Sequence, residues 1–477
     1  MAPLSTHESA HQVPHGSAHE AADGSTHKPR RGIRVLVVDD SMFMRKLITG
    51  VLQEDPDIAV VGQARDGEEA LRKAAELDPD VITLDVEMPR LDGIHMLERL
   101  MRQDPRPVVM VSGLTRENAE ATVKSLRLGA VDFLTKPSGS VSPDLPRLRK
   151  ELQAKVRAAA ALGRGGVRRL VGLTPPIPGA PPPALLVPPV PAAPVVSAHP
   201  DTPTDGGSPA ATATTPAPAI PGGASRAPAT PTTVAGAGRV RRLAIIGAST
   251  GGPGALHFLM ARLASRLGAK AGAHQPGTEA GAHRLGTKEL GAKAPVAIII
   301  VQHIPPGFST AVAHSLTQTT ANAIRVREAC ITRDESAPLF EVPTLLKGCE
   351  PWPLHAEDVV LAPGGYHVRV VEGPGVELSL DPPVAGVRPA VDVTLLSAVP
   401  VMGPRILAVI LTGMGTDGLR GATAVRQAGG RVIAQDQATS VVYGMPRAVV
   451  EAGQADEVLP LEGIADALAS WWNGDAA

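Results

Sequence analysis

The sequence predicts an α/β protein built from two open, mainly parallel sheets that helices cover and a long linker joins. Three observations predict it. Apolar runs of strand length alternate with helical patterns twice, first between Ile33 and Leu162 and again beyond Arg241. Such alternation is the mark of βα units laid into a parallel sheet. Between those stretches, from 164 to about 240, Pro, Ala, Thr and Gly displace any periodicity.

Composition narrows the function classes. A chain of 477 residues holds more than one domain, and its formal net charge is -1. Nothing in that balance draws it to nucleic acid or to an anionic membrane. Glycine (49) and proline (47) make about a fifth of the chain, against a usual share of about 12%. The two cysteines, Cys330 and Cys349, form no CxxC, so neither a disulfide framework nor a structural zinc site is expected. No apolar run reaches the ~18 residues of a membrane helix, and the N-terminus lacks a signal-peptide core. A cytoplasmic protein that is not integral to a membrane is the expectation.

Residues 1–31 are polar and rich in His, Ala and Ser. His7, His11, His15 and His19 recur at every fourth position, a helical metal-ligand spacing, but Pro14 and Gly16 interrupt the helix. A disordered tail is expected there.

Residues 32–163 follow as one domain. Strands are predicted at Val35–Val38, Ala59–Val61, Val81–Leu84, Val108–Val111 and Asp132–Thr135. Helices are predicted near 42–54, 67–77, 94–103, 117–128 and 146–162. In a parallel sheet the working site lies beyond the carboxyl ends of the strands. There stand Asp39 and Asp40 after the first strand, Asp85 after the third, Ser112 after the fourth and Lys136 after the fifth. Three carboxylates at one edge repel unless a cation sits among them, and an all-oxygen set suits Mg²⁺. A lysine and a small hydroxyl beside them complete a site for a phosphoryl group on one aspartate. Asp and Ser also serve as caps and turn formers, which explains one or two of these residues and not five at matched places.

Val38-Asp39-Asp40-Ser41, Leu84-Asp85-Val-Glu-Met-Pro89, Val111-Ser112 and Thr135-Lys136-Pro137 together resemble a response-regulator receiver domain, over 33 to about 140. That resemblance implies a flavodoxin-like, five-stranded parallel sheet. It implies Asp85 as phospho-acceptor, Asp39, Asp40 and Asp85 as Mg²⁺ ligands, and Lys136 as the cation on the phosphate. Ser112 and Phe133 would be the switch residues, and a histidine kinase the phosphodonor.

Residues 164–240 read as an interdomain linker, semi-stiff where prolines cluster, as in Pro181-Pro-Pro183. Residues 241–477 form the second domain. It opens on Leu243-Ala-Ile-Ile-Gly247-Ala-Ser249-Thr-Gly251-Gly-Pro253, an apolar strand turning into a helix near 255–267. Gly247-x-Ser249-x-Gly251 has the spacing of a nucleophile elbow, with a serine hydroxyl held up at a strained turn. Alone, the pattern also fits a plain turn or a phosphate cradle. It is no Walker A loop, since no lysine follows the glycines, and it lacks the GxGxxG spacing.

Two further apolar strands decide between these readings. Val296–Val301 ends in Gln302-His303, and Ile406–Leu411 ends in Thr412-Gly-Met414-Gly-Thr-Asp417. Ser249, His303 and Asp417 thus each lie just past a buried strand and can meet at one sheet edge. A histidine base oriented by a carboxylate is the standard activation of a hydroxyl nucleophile. His257, His314, His355 and His367 compete by type, as do Asp358, Asp392 and Asp436, but none of the four histidines directly follows a continuous apolar strand. The order Ser…His…Asp differs from the Ser…Asp…His of α/β-hydrolases, so a different doubly wound sheet is expected.

Gly247-Ala-Ser-Thr-Gly-Gly252, Gln302-His-Ile-Pro-Pro-Gly-Phe308, Leu361-Ala-Pro-Gly364, Arg388-Pro-Ala-Val-Asp392, Leu411-Thr-Gly-Met-Gly-Thr-Asp-Gly418 and Tyr443-Gly-Met-Pro446 resemble the chemotaxis protein-glutamate methylesterases. With the receiver-like half in front, the resemblance covers both domains. It implies a phosphorylation-controlled hydrolase that demethylates glutamate methyl esters of chemoreceptors and, in many members, deamidates their glutamines. Ser249 would be nucleophile, His303 base then acid, Asp417 the orienting carboxylate, and the Thr250 and Met414 amides the oxyanion donors. The catalytic domain would need no cofactor. Methylated chemoreceptor cytoplasmic domains would be the substrate, with no nucleic-acid partner.

Three departures stand out. Val387 occupies the place of a usual histidine before Arg-Pro. The stretch from Ala329 to Glu357 is longer than the family pattern and holds both cysteines at or within it. Residues 268–294 carry a near-repeat, Ala271-Gly-Ala-His-Gln-Pro-Gly-Thr-Glu279 and Ala280-Gly-Ala-His-Arg-Leu-Gly-Thr-Lys288, read as a surface loop. Rival readings are an esterase in a sensory system unrelated to motility, a non-catalytic phosphate sink, and a transcriptional regulator. An intact triad argues against the sink, and no basic helix-turn-helix pattern follows the first domain.

Overall fold

Valine and isoleucine crowd the strand segments, and a strand apolar on both faces has to be covered on both. The computed structural model describes residues 32–113, 115–136, 145–170, 240–268, 295–329, 351–373 and 375–474. The His-rich tail, most of the linker, the near-repeat, Cys330 and Cys349 lie outside the described residues.

The N-terminal half alternates β1 (Ile33–Val38), α1 (Met42–Gln53), β2 (Ile58–Ala64), α2 (Gly67–Leu77), β3 (Val81–Asp85), α3 (Gly93–Gln103), β4 (Val108–Ser112), α4 (Arg116–Arg127), β5 (Asp132–Thr135) and α5 (Leu145–Leu170). Its five strands lie parallel in the order β2-β1-β3-β4-β5. This is the flavodoxin-like order, with its switch point between β1 and β3. Helix starts are set by side chains that accept first-turn amides: Asp66 from Glu69, Asp92 from His95 and Thr115 from Asn118.

One helix runs past its expected end at 162. The chain leaves helical geometry at Gly163 (φ 60°, ψ 179°) and then resumes to Leu170, within the stretch the sequence assigns to the linker. Arg164 supplies the reason, pairing with Asp78 and with Asp104 across the domain. Such partners are not visible in local periodicity.

The C-terminal half holds β6 (Arg242–Ala248), α6 (Gly252–Arg266), β7 (Val296–Gln302), α7 (Ser309–Thr319), β8 (Val326–Glu328), β9 (Trp352–Pro353), β10 (Val359–Leu361), β11 (His367–Val371), β12 (Gly375–Ser379), α8 (Val391–Met402), β13 (Ile406–Ile410), α9 (Leu419–Gln427), β14 (Arg431–Gln435), α10 (Met445–Glu451), β15 (Glu457–Leu459) and α11 (Leu461–Asn473). Seven strands form a parallel sheet in the order β15-β14-β13-β6-β7-β10-β8. Every residue of β7 and β13 is buried. A small antiparallel sheet, β11-β12-β9, stands beside it, an addition that the short segments did not announce. The direction of winding reverses between β6 and β13, since β7 lies on one side of β6 and β13 on the other.

The two halves touch. The Phe133 ring at β5 meets the Phe308 ring before α7, with centroids 4.7 Å apart and planes at 33°. Arg127 at the end of α4 reaches Gln318 of α7 at 3.4 Å. Beneath this contact, α6 buries His257, whose Nδ1 meets Thr319 Oγ1 at 2.7 Å and whose Nε2 meets Ser315 Oγ at 3.3 Å.

Burial, and secondarily the Arg127 charge, push the His257 imidazole down to about 3. The unfolded chain therefore takes up a proton near pH 6.5 that the folded chain refuses until far lower pH. Folded stability is lost as pH falls through 6.5, by about 2 kcal/mol between pH 7 and pH 5. His257→Gln, which keeps a hydrogen-bonding tip, should remove about that much of the acid sensitivity. Urea midpoints of both proteins at pH 7 and pH 5 check this; parallel losses in the two would refute it.

Candidate active site

The C-terminal sheet brings three strand ends side by side. β13, β6 and β7 are adjacent and parallel, and Ser249, His303 and Asp417 follow them within one to seven residues. Backbone bonds tie the three loops together. The His303 amide donates to the Ala248 carbonyl, and the Ser249 amide to the Thr412 carbonyl, both at 3.0 Å. The Thr412 hydroxyl donates to the Thr250 carbonyl at 2.9 Å. At the elbow Gly251 takes φ 77°, a left-handed conformation that a side chain would strain.

His303 Nε2 bonds Asp417 Oδ2 at 2.7 Å. The carboxylate accepts three further bonds: from the Val391 amide at 2.7 Å, and from the Asp392 and Gly418 amides at 3.0 Å each. Burial works to raise the Asp417 carboxyl, but the His303 bond and these amides outweigh it and hold it below the usual carboxylate range. An ionised Asp417 keeps the proton of the imidazole on Nε2 and leaves Nδ1 as the basic nitrogen. Among the described residues the Ser249 hydroxyl has no hydrogen-bond partner, and the bond of the His303 amide to the Ala248 carbonyl brings the two loops side by side. Catalytic bonds of this kind commonly close only on substrate.

The rival residues sort themselves by partner. His314 pairs with Gln318, His367 with the Pro382 carbonyl, Asp358 with Arg327 and Asp436 with Thr439. The His355 amide donates to Asp358. Within the described C-terminal half, His303–Asp417 is the one imidazole–carboxylate bond. Asp392 stands behind it: its Oδ1 accepts the Gly418 amide at 3.0 Å and the Gly421 amide at 2.8 Å. Burial raises this carboxyl above its ordinary range. Sequence reasoning ranked Asp392 only as a rival acid; its place after Pro389 at the head of an apolar helix was the available signal of a structural anchor.

For the oxyanion donors, the amides of Thr250 and Met414 donate to no acceptor among the described residues. The same holds for Gly251 and Gly415, so the geometry narrows the donors to two loops. Met414 is the exposed member, and Thr250 is buried.

At the other sheet edge Asp39 and Asp85 are buried, Asp40 is exposed, and the three offer carboxylate oxygens within 4.8 Å of one another. Lys136 Nζ lies 2.9 Å from Asp39 Oδ2 and 2.6 Å from Asp85 Oδ2. Burial raises the Asp85 carboxyl to about 6, against the opposing pull of Lys136. Burial also disfavours the charge on Lys136, and the two aspartates more than offset it, raising its affinity for a proton. This all-oxygen, partly buried cluster fits a hard divalent cation such as Mg²⁺. Ser112 is buried at the end of β4, its hydroxyl donating to the Gly113 carbonyl at 3.3 Å, while buried Phe133 faces the other half of the chain.

Comparison with known proteins accords with these two sites. The CheB methylesterase family matches residues 349–468, and the response regulator receiver domain matches residues 35–142. A protein-glutamate methylesterase/protein-glutamine glutaminase of Symbiobacterium thermophilum is 43% identical over 439 residues, covering 92% of this chain and 97% of its own. Its counterpart in Moorella thermoacetica is 41% identical over 460 residues, covering 93% and 99%. That of Thermotoga maritima is 36% identical over 433 residues, covering 90% and 96%. Similarity that runs unbroken through both sheets in the same order leaves one conclusion: the chain belongs to the protein-glutamate methylesterase/protein-glutamine glutaminase family.

Proposed function

We propose that this protein is a phosphorylation-controlled serine esterase that demethylates glutamate methyl esters on chemoreceptors and deamidates receptor glutamines. One observation carries the reading: a part-buried His303–Asp417 bond lies with Ser249 just past the ends of three adjacent strands. In the reaction, Ser249 Oγ attacks the γ-carbonyl carbon and His303 accepts its proton. The Thr250 and Met414 amides hold the oxyanion. The C–OCH₃ bond then breaks, and His303 returns the proton to release methanol. Water attacks the acyl-enzyme with His303 again as base, freeing glutamate and Ser249. With a glutamine substrate the leaving group is ammonia.

The receiver, residues 32–163, takes a phosphoryl group on Asp85 from a chemotaxis histidine kinase. Asp39, Asp40 and Asp85 would hold Mg²⁺, which when bound neutralises phosphoryl charge. Lys136 adds a fixed cation at the same place. Ser112 and Phe133 form the switch. Phe133 stacks on Phe308, five residues beyond His303 in the same loop, which supports a route from switch to catalytic loop. A linker that begins after α5, at Leu170 and not at 163, and the catalytic domain at 241–477 complete the organisation. No helix among the described residues is long and apolar enough to cross a membrane.

The test is methanol release from methylated receptor. Ser249→Ala and His303→Ala should each lower kcat by about 10⁶-fold, the double variant being little worse, and Asp417→Asn should cost about 10⁴-fold. Retention of even a tenth of the parent rate by Ser249→Ala would assign the nucleophile elsewhere.

Control by the receiver is tested separately. A small phosphodonor with Mg²⁺ should label Asp85 and raise the methanol rate. Asp85→Asn should lose the label and the activation while basal hydrolysis persists. Undiminished labelling in that variant would point to another acceptor.

A further inference from the structure

β7 is apolar through Val301 and then ends in Gln302, whose side chain is turned inward and only 3% exposed. A buried carboxamide costs free energy unless its polar atoms are bonded. Gln302 Nε2 donates twice, to the Ser249 carbonyl at 3.0 Å and to the His303 carbonyl at 3.1 Å. Gln302 Oε1 is buried without a partner. It lies against the first turn of α6, where a Cβ added to Gly252 would collide with it. An orphaned buried acceptor forfeits its hydration without compensation, and an apolar side chain of the same size would fill this space without that cost. Packing alone therefore does not account for glutamine here.

The location of the two bonds does. Pairing of β6 with β7 ends at Ala248 and Gln302, and the His303 amide makes one last bond to Ala248. Ser249 and His303 are the first residues beyond that pairing. The Ser249 carbonyl accepts from the Gly252 amide at 2.7 Å as well as from Gln302, so both its lone pairs are engaged. The carboxamide thus carries the tie between the strands one residue farther, onto the main chains of both residues.

We propose that Gln302 is a positioning residue for the ester hydrolysis: its carboxamide locks the Ser249 backbone to the His303 backbone and so sets the approach of hydroxyl to imidazole. This rests on the Ser249–His303 assignment above. Misplacement of reacting groups by about 1 Å costs on the order of 10²-fold in rate.

Full-length Gln302→Met, which keeps side-chain size and loses both donors, is assayed for methanol release beside Ser249→Ala, His303→Ala and the Gln302→Met/His303→Ala double variant. Gln302→Met should lower kcat about 10²-fold with KM within about twofold and an unchanged near-UV circular dichroism spectrum. In the His303→Ala background the same substitution should cost less than about threefold, because no base remains to be aligned. A Gln302→Met kcat within threefold of the parent, a raised KM at unchanged kcat, or the full loss repeated without His303 would overturn the proposal. Activity in Ser249→Ala would instead overturn the nucleophile assignment, a result that Gln302→Met cannot mimic. Should Met disturb the fold, hydrogen exchange of the Gln302 side-chain amide in the parent protein decides: both protons should be protected, and rapid exchange of either refutes the tie.

Discussion

Four donors converge on one buried carboxylate, and much of the C-terminal half is arranged to bring them there. Asp417 accepts from His303, from the Val391 and Asp392 amides at the head of α8, and from the Gly418 amide before α9. Taking a carboxylate out of water costs several kcal/mol even after relaxation. Only a full set of short, well-directed bonds offsets that cost. The bonds also locate things: α8 is docked against the loop after β13, and the imidazole is turned to present Nδ1. Asp392 reinforces the arrangement by accepting the amides of Gly418 and Gly421. Two like charges sit close together there, and burial with mutual repulsion raises the Asp392 carboxyl while Asp417 stays low. Paired carboxylates whose environments separate them in this way divide the work, one carrying charge beside the base and one holding backbone.

The N-terminal sheet solves a different problem with the same topology. Its strand ends also collect acids, but the neutralising charge there is Lys136. That cluster remains poised, because Asp85 is raised toward neutrality by burial and Asp40 stays open to solvent. The Asp417 carboxylate is saturated with donors, and the N-terminal cluster is left incomplete.

Between the two sites runs a short physical path. Phe133 lies in the strand that Lys136 follows, and Phe308 lies in the loop that begins at His303. The halves meet through packed side chains, this aromatic pair and Arg127 with Gln318.

Strand ends were legible in the sequence because an apolar run that stops at a polar residue is a local event. Asp39, Asp85, Ser112, Lys136, Ser249 and His303 were all found by that signal, and so was the parallel α/β class. That His303 and Asp417 meet was not local: it rests on the strand order β13-β6-β7, which depends on how crossovers pack and not on any segment alone. The bonds of Gln302 to two carbonyls, the anchoring role of Asp392 and the continuation of α5 to Arg164 and its acidic partners were likewise decided in three dimensions. The sequence by itself determined which residues end at a sheet edge, because side-chain hydrophobicity sets where strands stop. Tertiary structure alone decided which of those residues meet, because a hydrogen bond of about 3 Å depends on the packing of elements that lie far apart in the chain.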